Sequence, residues 1–309
     1  MIETFKNNVA KTTKPTLSIL VPYYHDDPVL LLNDLLVQAQ TAGLVEILMY
    51  DDGTGNANVN ARLISTAKKS TAPVSLFFAE QNQGRSFARN YLKSQAKAKW
   101  VLFLDADMRP VETHFLRDYL AEINADTADI IFGGFTVPNQ KQSAETELHR
   151  AFSQTSDCLS ADARSKNGAQ YVCSSNLCVR TGILDAEPFD TGFTGWGWED
   201  SEWAARVSAK YRLKHADIPA LHLGLESTET LLSRFKNSGE NYVRFTQAHP
   251  DLAKTLKLYK LSKKLGHVPG QKWMRPMLKF LVRTSALPTK LRLIALKLWR
   301  ASWYAEVMT

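Results

Sequence analysis

Lys99-Trp100-Val101-Leu102-Phe103-Leu104-Asp105-Ala106-Asp107 is the stretch from which the chain is best read. Five apolar residues in a row, with charge on both sides, read as a strand buried on both faces of a parallel sheet. The strand ends in two carboxylates one residue apart. In open α/β sheets, ligands collect just beyond the carboxyl ends of the strands. Asp-x-Asp there offers oxygen ligands to a hard divalent cation, which can in turn hold a diphosphate. The alternative is a polar strand end with Asp107 capping the next helix.

Outward from this strand, apolar runs alternate with helical spacings. Residues 17–22, 45–50 and 74–79 read as buried strands, followed by helices over 30–42, about 58–69, and 86–96. Strands and helices alternating at this pitch mean a parallel, doubly wound α/β sheet with right-handed crossovers. Further on, the pattern predicts a helix over about 112–124, a strand over 129–135 containing Gly133-Gly134, helix and loop over 138–170, and a strand over 171–179.

Hydrophobic content of 44% and charged content of 22% exclude a disordered chain, and 309 residues suffice for a large core with an appendage. The net charge of +7 hides an asymmetry. Thirteen of the 38 Lys and Arg, and none of the 31 Asp and Glu, lie between Leu252 and Ala305, which leaves 25 basic against 31 acidic residues elsewhere. A mildly acidic body with a strongly basic tail points to a polyanionic surface as partner. Residues 1–16 have no apolar signal core, and no run reaches the roughly 18 apolar residues of a spanning helix. Cys158, Cys173 and Cys178 show no metal-ligand spacing and read as reduced cytosolic thiols.

A dinucleotide-binding domain needs Gly-x-Gly-x-x-Gly directly after the first strand, and that place holds Pro22-Tyr23-Tyr24-His25. Hydride transfer is excluded on that absence. The first half instead resembles the family 2 glycosyltransferases, with the GT-A nucleotide-sugar-binding fold. Four pieces carry the resemblance: Ser18-Ile19-Leu20-Val21-Pro22-Tyr23, Glu46-Ile47-Leu48-Met49-Tyr50-Asp51-Asp52-Gly53, Asn82-Gln83-Gly84-Arg85-Ser86-Phe87-Ala88-Arg89-Asn90, and the strand ending at Asp107. Each is weak alone, and their order and spacing together are specific. The resemblance implies that Pro22 and Tyr23 line a base and ribose pocket, with Asn82 also on the donor side. It implies that Asp52 accepts from a uracil imide N–H and that Arg89 faces the diphosphate. Asp107 becomes the direct ligand of Mn²⁺ or Mg²⁺, and Asp105 contacts ribose or metal. For Arg89 the bland alternative is an ion pair on a helix surface. Asn176, on the strand expected over 171–179, is a candidate to face the donor sugar.

The second strong motif is Phe189-Asp190-Thr191-Gly192-Phe193-Thr194-Gly195-Trp196-Gly197-Trp198-Glu199-Asp200-Ser201-Glu202, which leads into a helix. Asp200 falls at that helix's N-terminus, where the dipole favours an anion. Aromatic faces beside carboxylates suit a sugar, whose C–H face stacks while its hydroxyls need acceptors. The segment resembles the Trp-Gly-Gly-Glu-Asp motif of the galactosyltransferase C-terminal region. That resemblance implies Asp200 as general base, Glu199 as acceptor for a donor-sugar hydroxyl, and Trp196 as stacking platform. Trp198 departs from it, standing where those enzymes usually have glycine, and is expected to narrow or reshape the donor or acceptor pocket. In many relatives a histidine in the region of Ile218-Pro219-Ala220-Leu221-His222 completes the metal site. His222 is the first candidate and His215 the second.

The tail, residues 251–309, reads as basic amphipathic helices appended to a catalytic domain over 1–250, whose nucleotide-binding half is about 16–110 and whose acceptor half is about 111–250. Lys254, Lys257, Lys260, Lys263 and Lys264 mark one side of the first tail helix, expected to run unbroken to Leu265. Arg275, Lys279 and Arg283 form a stripe on the second. Such helices, bearing tryptophan and too short and charged to span, read as binders of an anionic membrane surface. The alternatives are packing on the catalytic body or a dimer contact. Nucleic acid is excluded as partner, because the aromatic residues are not interleaved with the basic ones. The whole implies a metal-dependent, inverting transferase moving a sugar from a UDP-sugar to a glycan or lipid-linked oligosaccharide. It would act in surface polysaccharide or glycoconjugate synthesis, at the cytoplasmic face of the plasma membrane. A catalytically silent glycan-binding or assembly scaffold on the same fold is the competing class. A nucleotidyltransferase would share the sheet and metal carboxylates, but the first strand is followed by no glycine-rich phosphate loop.

Overall fold

Strand residues 100–104 are all buried and sit inside the main sheet of the computed structural model, which describes residues 1–308 except 12, 13, 44 and 142. The strands are β1 (Ile2–Lys6), β2 (Leu17–Tyr23), β3 (Val45–Asp51), β4 (Val74–Ala79), β5 (Trp100–Leu104), β6 (Met108–Pro110), β7 (Ile130–Phe132), β8 (Phe135–Thr136), β9 (Asn176–Arg180), β10 (Leu213–His215) and β11 (Ala220–His222). The main sheet runs β1-β4-β3-β2-β5-β9-β7-β10. Within it β4, β3, β2 and β5 are parallel, with Leu17 opposite both Val45 and Trp100. Helices Val29–Ala42, Ala57–Lys69 and Arg85–Gln95 make the crossovers.

Both faces of β5 are covered, as a continuous apolar run requires. Trp100, Leu102 and Leu104 pack with Leu31, Leu35, Leu63 and Tyr119 on one side. Val101 and Phe103 pack with Leu92, Leu184 and Trp203 on the other.

Four elements differ from the sequence reading. The first six residues contain an edge strand, β1, antiparallel to β4. Its exposed and half-buried residues carry no apolar run by which it could be recognised. The expected strand over 171–179 begins only at Asn176 and runs antiparallel to β5 and β7. The expected strand over 129–135 breaks at Gly133-Gly134. A Cβ on Gly133 would fall on the Tyr119 hydroxyl, and one on Gly134, at φ +77°, on the Arg164 guanidinium. The chain then leaves the main sheet and enters a three-stranded one, β6-β11-β8. That small sheet sets His222 opposite Met108 and so beside Asp107.

In the tail, the expected single helix is two, Pro250–Thr255 and Lys257–Gly266, parted by Leu256 in an extended conformation. The tail helices share a core with the body. Leu278, Val282, Leu293, Leu296 and Trp299 pack on Leu148, Leu231, Leu232 and Phe235. Arg275 is buried, with its Nε donating to the Ser302 hydroxyl and its guanidinium over the Trp303 ring, and Arg283 pairs with Glu229. Of the three residues in the expected basic stripe, only Lys279 forms no ion pair among the described residues.

Leu102 has no exposed surface and lies at the middle of the β5 core. Leu102→Ala is expected to cost about 2–5 kcal/mol, read by urea denaturation; a loss below about 1 kcal/mol would contradict this packing.

Candidate active site

Beyond the carboxyl ends of β2 and β5, the chain surrounds a cleft of about 670 Å³. One corner is made by Asp107 and His222. His222 Nε2 lies 3.2 Å from Asp107 Oδ2, and the Leu223 N–H donates to the Asp107 carbonyl at 2.9 Å. Burial works against charge on both side chains. Their hydrogen bond and mutual attraction nonetheless hold the Asp107 carboxyl below its ordinary value and the His222 imidazole above its own. Asp107 Oδ1 and His222 Nδ1 are buried without a hydrogen-bond partner. Gly224 closes the corner, and a Cβ there would fall on the Asp107 carboxylate.

An orphaned carboxylate oxygen beside an imidazole, in a cradle that admits no side chain at position 224, fits a divalent cation. Among the described residues, no cluster of three or more His, Cys, Asp or Glu could complete a site by itself. Asp26 faces the same corner, and burial with the nearby Asp107 and Asp105 pushes its carboxyl up to about 6.

The opposite corner is built on a buried guanidinium. Arg89 is 1% exposed and lies 3.4 Å from Asp105, 3.4 Å from Glu199 and 3.5 Å from Asp200. Asp200 stands in the first turn of the helix Glu199–Ser208. Both its oxygens are held by Ser174: Oδ1 accepts from the hydroxyl at 2.9 Å and Oδ2 from the N–H at 3.0 Å. Burial and the adjacent Asp200 raise the Glu199 carboxyl, partly offset by Arg89 and Arg85. Burial likewise raises Asp105, against the lowering effect of the same two arginines. Between the corners, Pro22, Tyr23, Asp52, Asn82, Arg85, Trp196 and Arg234 contribute to the wall. Asp52 accepts from the Gln83 N–H at 2.8 Å and the Gly84 N–H at 2.9 Å, which ties the loop before Arg85 to the end of β3.

The sequence pattern of glycosyl transferase family 2 matches residues 18–186, more than half of the chain. The chain belongs to that family. A stretch of 93 residues is 30% identical to an uncharacterised glycosyltransferase of Haemophilus influenzae, and covers 30% of this chain and 36% of that protein. S. aureus TarS 1–349 in complex with UDP-GlcNAc superposes with a TM-score of 0.53 at 17% identity, over 95% of this chain and 90% of the other. The mannosyltransferase PcManGT from Pyrobaculum calidifontis, in complex with GDP-Man and Mn²⁺, gives 0.59 at 14% identity, over 94% and 86%. Likeness at such identities speaks for the fold, the GT-A arrangement of a mostly parallel sheet with flanking helices.

In this family 2 chain, most of the residues singled out from sequence meet in the cleft, and four have other surroundings. Asn176 is fully buried; its amide donates to the Gly134 and Ile218 carbonyls, and its oxygen accepts from the Tyr119 hydroxyl at 2.7 Å. It clamps the two sheets and has no donor left for a sugar. Glu199 is 4% exposed and turned to Arg89, beneath the cleft rather than on its wall. Arg89 itself is engaged by carboxylates. The more open guanidinium on this helix is Arg85, 44% exposed in its side chain and 3.9 Å from Glu199.

Trp198 points away from the cleft, stacked on Phe245 at 5.1 Å and against Tyr242 at 4.4 Å, with its Nε1–H donating to Tyr304 of the tail. The second histidine candidate, His215, bonds the Gly168 carbonyl and is not part of the cleft. Arg85 lay within the quoted 82–90 motif and was readable as a second cation one helical turn before Arg89. His149 and Arg234 also line the cleft, but they come from helical segments whose spacing carries no site signal.

Asn176→Ala removes three buried hydrogen bonds. It is expected to destabilise the fold by about 1–3 kcal/mol or more, with donor affinity of the folded protein changed less than about twofold. A selective loss of donor binding at unchanged melting temperature would restore Asn176 to the site.

Proposed function

We propose that this protein is a metal-dependent, inverting glycosyltransferase that moves a sugar from a UDP-sugar to a glycan or lipid-linked oligosaccharide. The observation that carries the reading is the cleft shared by Asp107 and His222 on one side and Asp200 on the other. Both named structural neighbours hold a nucleotide diphosphate sugar, one of them with Mn²⁺. Asp107 and His222 would hold Mn²⁺ or Mg²⁺, whose charge offsets that on a departing nucleoside diphosphate. Pro22, Tyr23 and Asn82 would receive the nucleoside. Asp52 keeps lone pairs for a uracil N–H beyond the two backbone donors it already binds. Arg85 takes the diphosphate role that the sequence suggested for Arg89, and Trp196 offers a ring to the sugar.

Asp200 is placed as general base. Its carboxylate takes the proton of the acceptor hydroxyl as that oxygen bonds to the anomeric carbon. The electron pair of the breaking C–O bond leaves with the diphosphate, and the configuration at carbon inverts. Arg89 and Ser174 hold the carboxylate in place. Asp200→Asn is expected to lower transfer by about 10²-fold or more while UDP-sugar binding, read by metal-dependent thermal stabilisation, persists. An active Asp200→Asn enzyme would sink the assignment. Slow Mn²⁺-dependent hydrolysis of the donor, abolished by a chelator, is expected of a transferase and not of a silent scaffold. Thermal stabilisation across UDP-Glc, UDP-Gal, UDP-GlcNAc and UDP-glucuronate identifies the sugar.

The acceptor reading rests on the tail over 251–309, proposed as an appendage that seats the enzyme on the anionic cytoplasmic leaflet. No helix among the described residues is long and apolar enough to cross a membrane. Trp273, Met277 and Phe280 are 79%, 56% and 66% exposed and recur at helical spacing, flanked by Lys272 and Lys279. An exposed apolar stripe beside lysines that form no ion pair among the described residues suits an anionic interface. The full chain is expected to sediment with phosphatidylserine vesicles, and Trp273→Glu with Phe280→Glu to stay in solution. Equal sedimentation of the two removes the membrane claim.

A further inference from the structure

Trp198 is one of three non-glycine residues with positive φ among the described residues, at +78°. L-residues rarely adopt that conformation, so surrounding contacts must impose it. Trp198 directly precedes Glu199 and Asp200, and its carbonyl accepts from the Glu202 N–H at 2.9 Å, setting the first turn of the helix. Its indole lies among Tyr242, Phe245, Tyr304 and the Arg300 guanidinium. They belong to two helices, Tyr242 and Phe245 to Gly239–Ala248, and Arg300 and Tyr304 to the C-terminal Thr289–Val307.

The contact is specific as well as apolar. Trp198 Nε1–H donates to the Tyr304 hydroxyl at 3.0 Å, and Arg300 Nε donates to the same oxygen at 3.1 Å. With both acceptor sites taken, the phenolic proton goes to Ser238 Oγ, 2.6 Å away. Tyr304 is fully buried, so this hydroxyl is satisfied three times without water. The loop before Trp198 is held from the same side, because Asn241 Nδ2 donates to the Thr194 carbonyl at 2.8 Å and the Gly197 carbonyl at 3.0 Å. The seven-residue segment from Thr194 to the general base is therefore bound to helices outside the sheet.

We propose that Tyr304 is a positioning residue for the transfer step, acting through Trp198 on Asp200, so that the C-terminal helix is a working part of the active site. The inference rests on Asp200 as base. It accounts for a tryptophan at a backbone position that favours glycine: Gly would supply the conformation, whereas Trp lets the two helices around it impose it. Asp200 is held from below by Arg89 and Ser174, and the clasp sets where the helix that carries it begins.

The test compares Tyr304→Phe, Trp198→Gly and Leu296→Ala, the last in the separate apolar core between tail and body. Initial rates are measured with the UDP-sugar identified by stabilisation, per folded molecule, beside melting temperatures. Tyr304→Phe and Trp198→Gly are expected to lower kcat about tenfold or more with donor KM within about twofold. Leu296→Ala is expected to lose melting temperature and keep kcat. Trp198→Gly preserves the backbone, so wild-type kcat in that variant overturns the proposal. An equal kcat loss in Leu296→Ala also overturns it, since the tail would then serve stability alone. Asp200→Asn, run alongside, separates the two claims: if it is active the base assignment fails, and if it is inactive beside a fully active Trp198→Gly the clasp alone fails.

Discussion

A guanidinium almost wholly removed from water is tolerable only when its charge is answered, and Arg89 is answered three times. Its partners come from different places: Asp105 from the end of β5, and Glu199 and Asp200 from the helix after the tryptophan-rich loop. Arg89 itself belongs to the crossover helix Arg85–Gln95, and its guanidinium also lies over the Phe189 ring at 5.6 Å. One cation thus joins three elements that the chain order keeps far apart. Deleting the guanidinium would leave the buried Glu199 without its nearest cation, and breaking a buried pair in this way typically costs about 3–5 kcal/mol. The arrangement is less a source of net stability than of uniqueness, since few other packings would satisfy all four groups.

That constraint explains why the carboxylates differ in use. Glu199, innermost, is spent on Arg89, while Asp200 also reaches the cleft and is steadied by Ser174. At the other corner, Asp107 and His222 meet because the small sheet pairs β6 with β11. The main sheet fixes the position of one corner and the small sheet assembles the other. The break at Gly133-Gly134 is what lets the chain pass between them.

The parallel half of the fold was legible because strands buried on both faces are written as unbroken apolar runs, such as 45–50 and 100–104. The direction of β9 was not legible, since a hydrophobic run reads the same in parallel and antiparallel pairing. Asp107 and His222 were readable as chemistry, but their adjacency depends on register. Asn176 and Glu199 have residue types equally at home in a binding site and in a buried network, and only their partners decide. Trp198 stands out in the sequence as a departure from glycine, but the direction of its ring depends on a backbone angle, φ +78°, that residue type does not disclose. The tail's basic character was plain, yet Arg275 and Arg283 are engaged within the protein, pairing with Glu306 and Glu229.

Ser174 grips the Asp200 carboxylate edge-on, with one donor for each oxygen. A carboxylate bound that way has its remaining lone pairs confined to a narrow sector. On the proposed reading, an incoming hydroxyl must present its proton from that sector while its oxygen faces the anomeric carbon. Selection among the several hydroxyls of an acceptor sugar then becomes a matter of angle. It would be set by a serine that touches neither substrate.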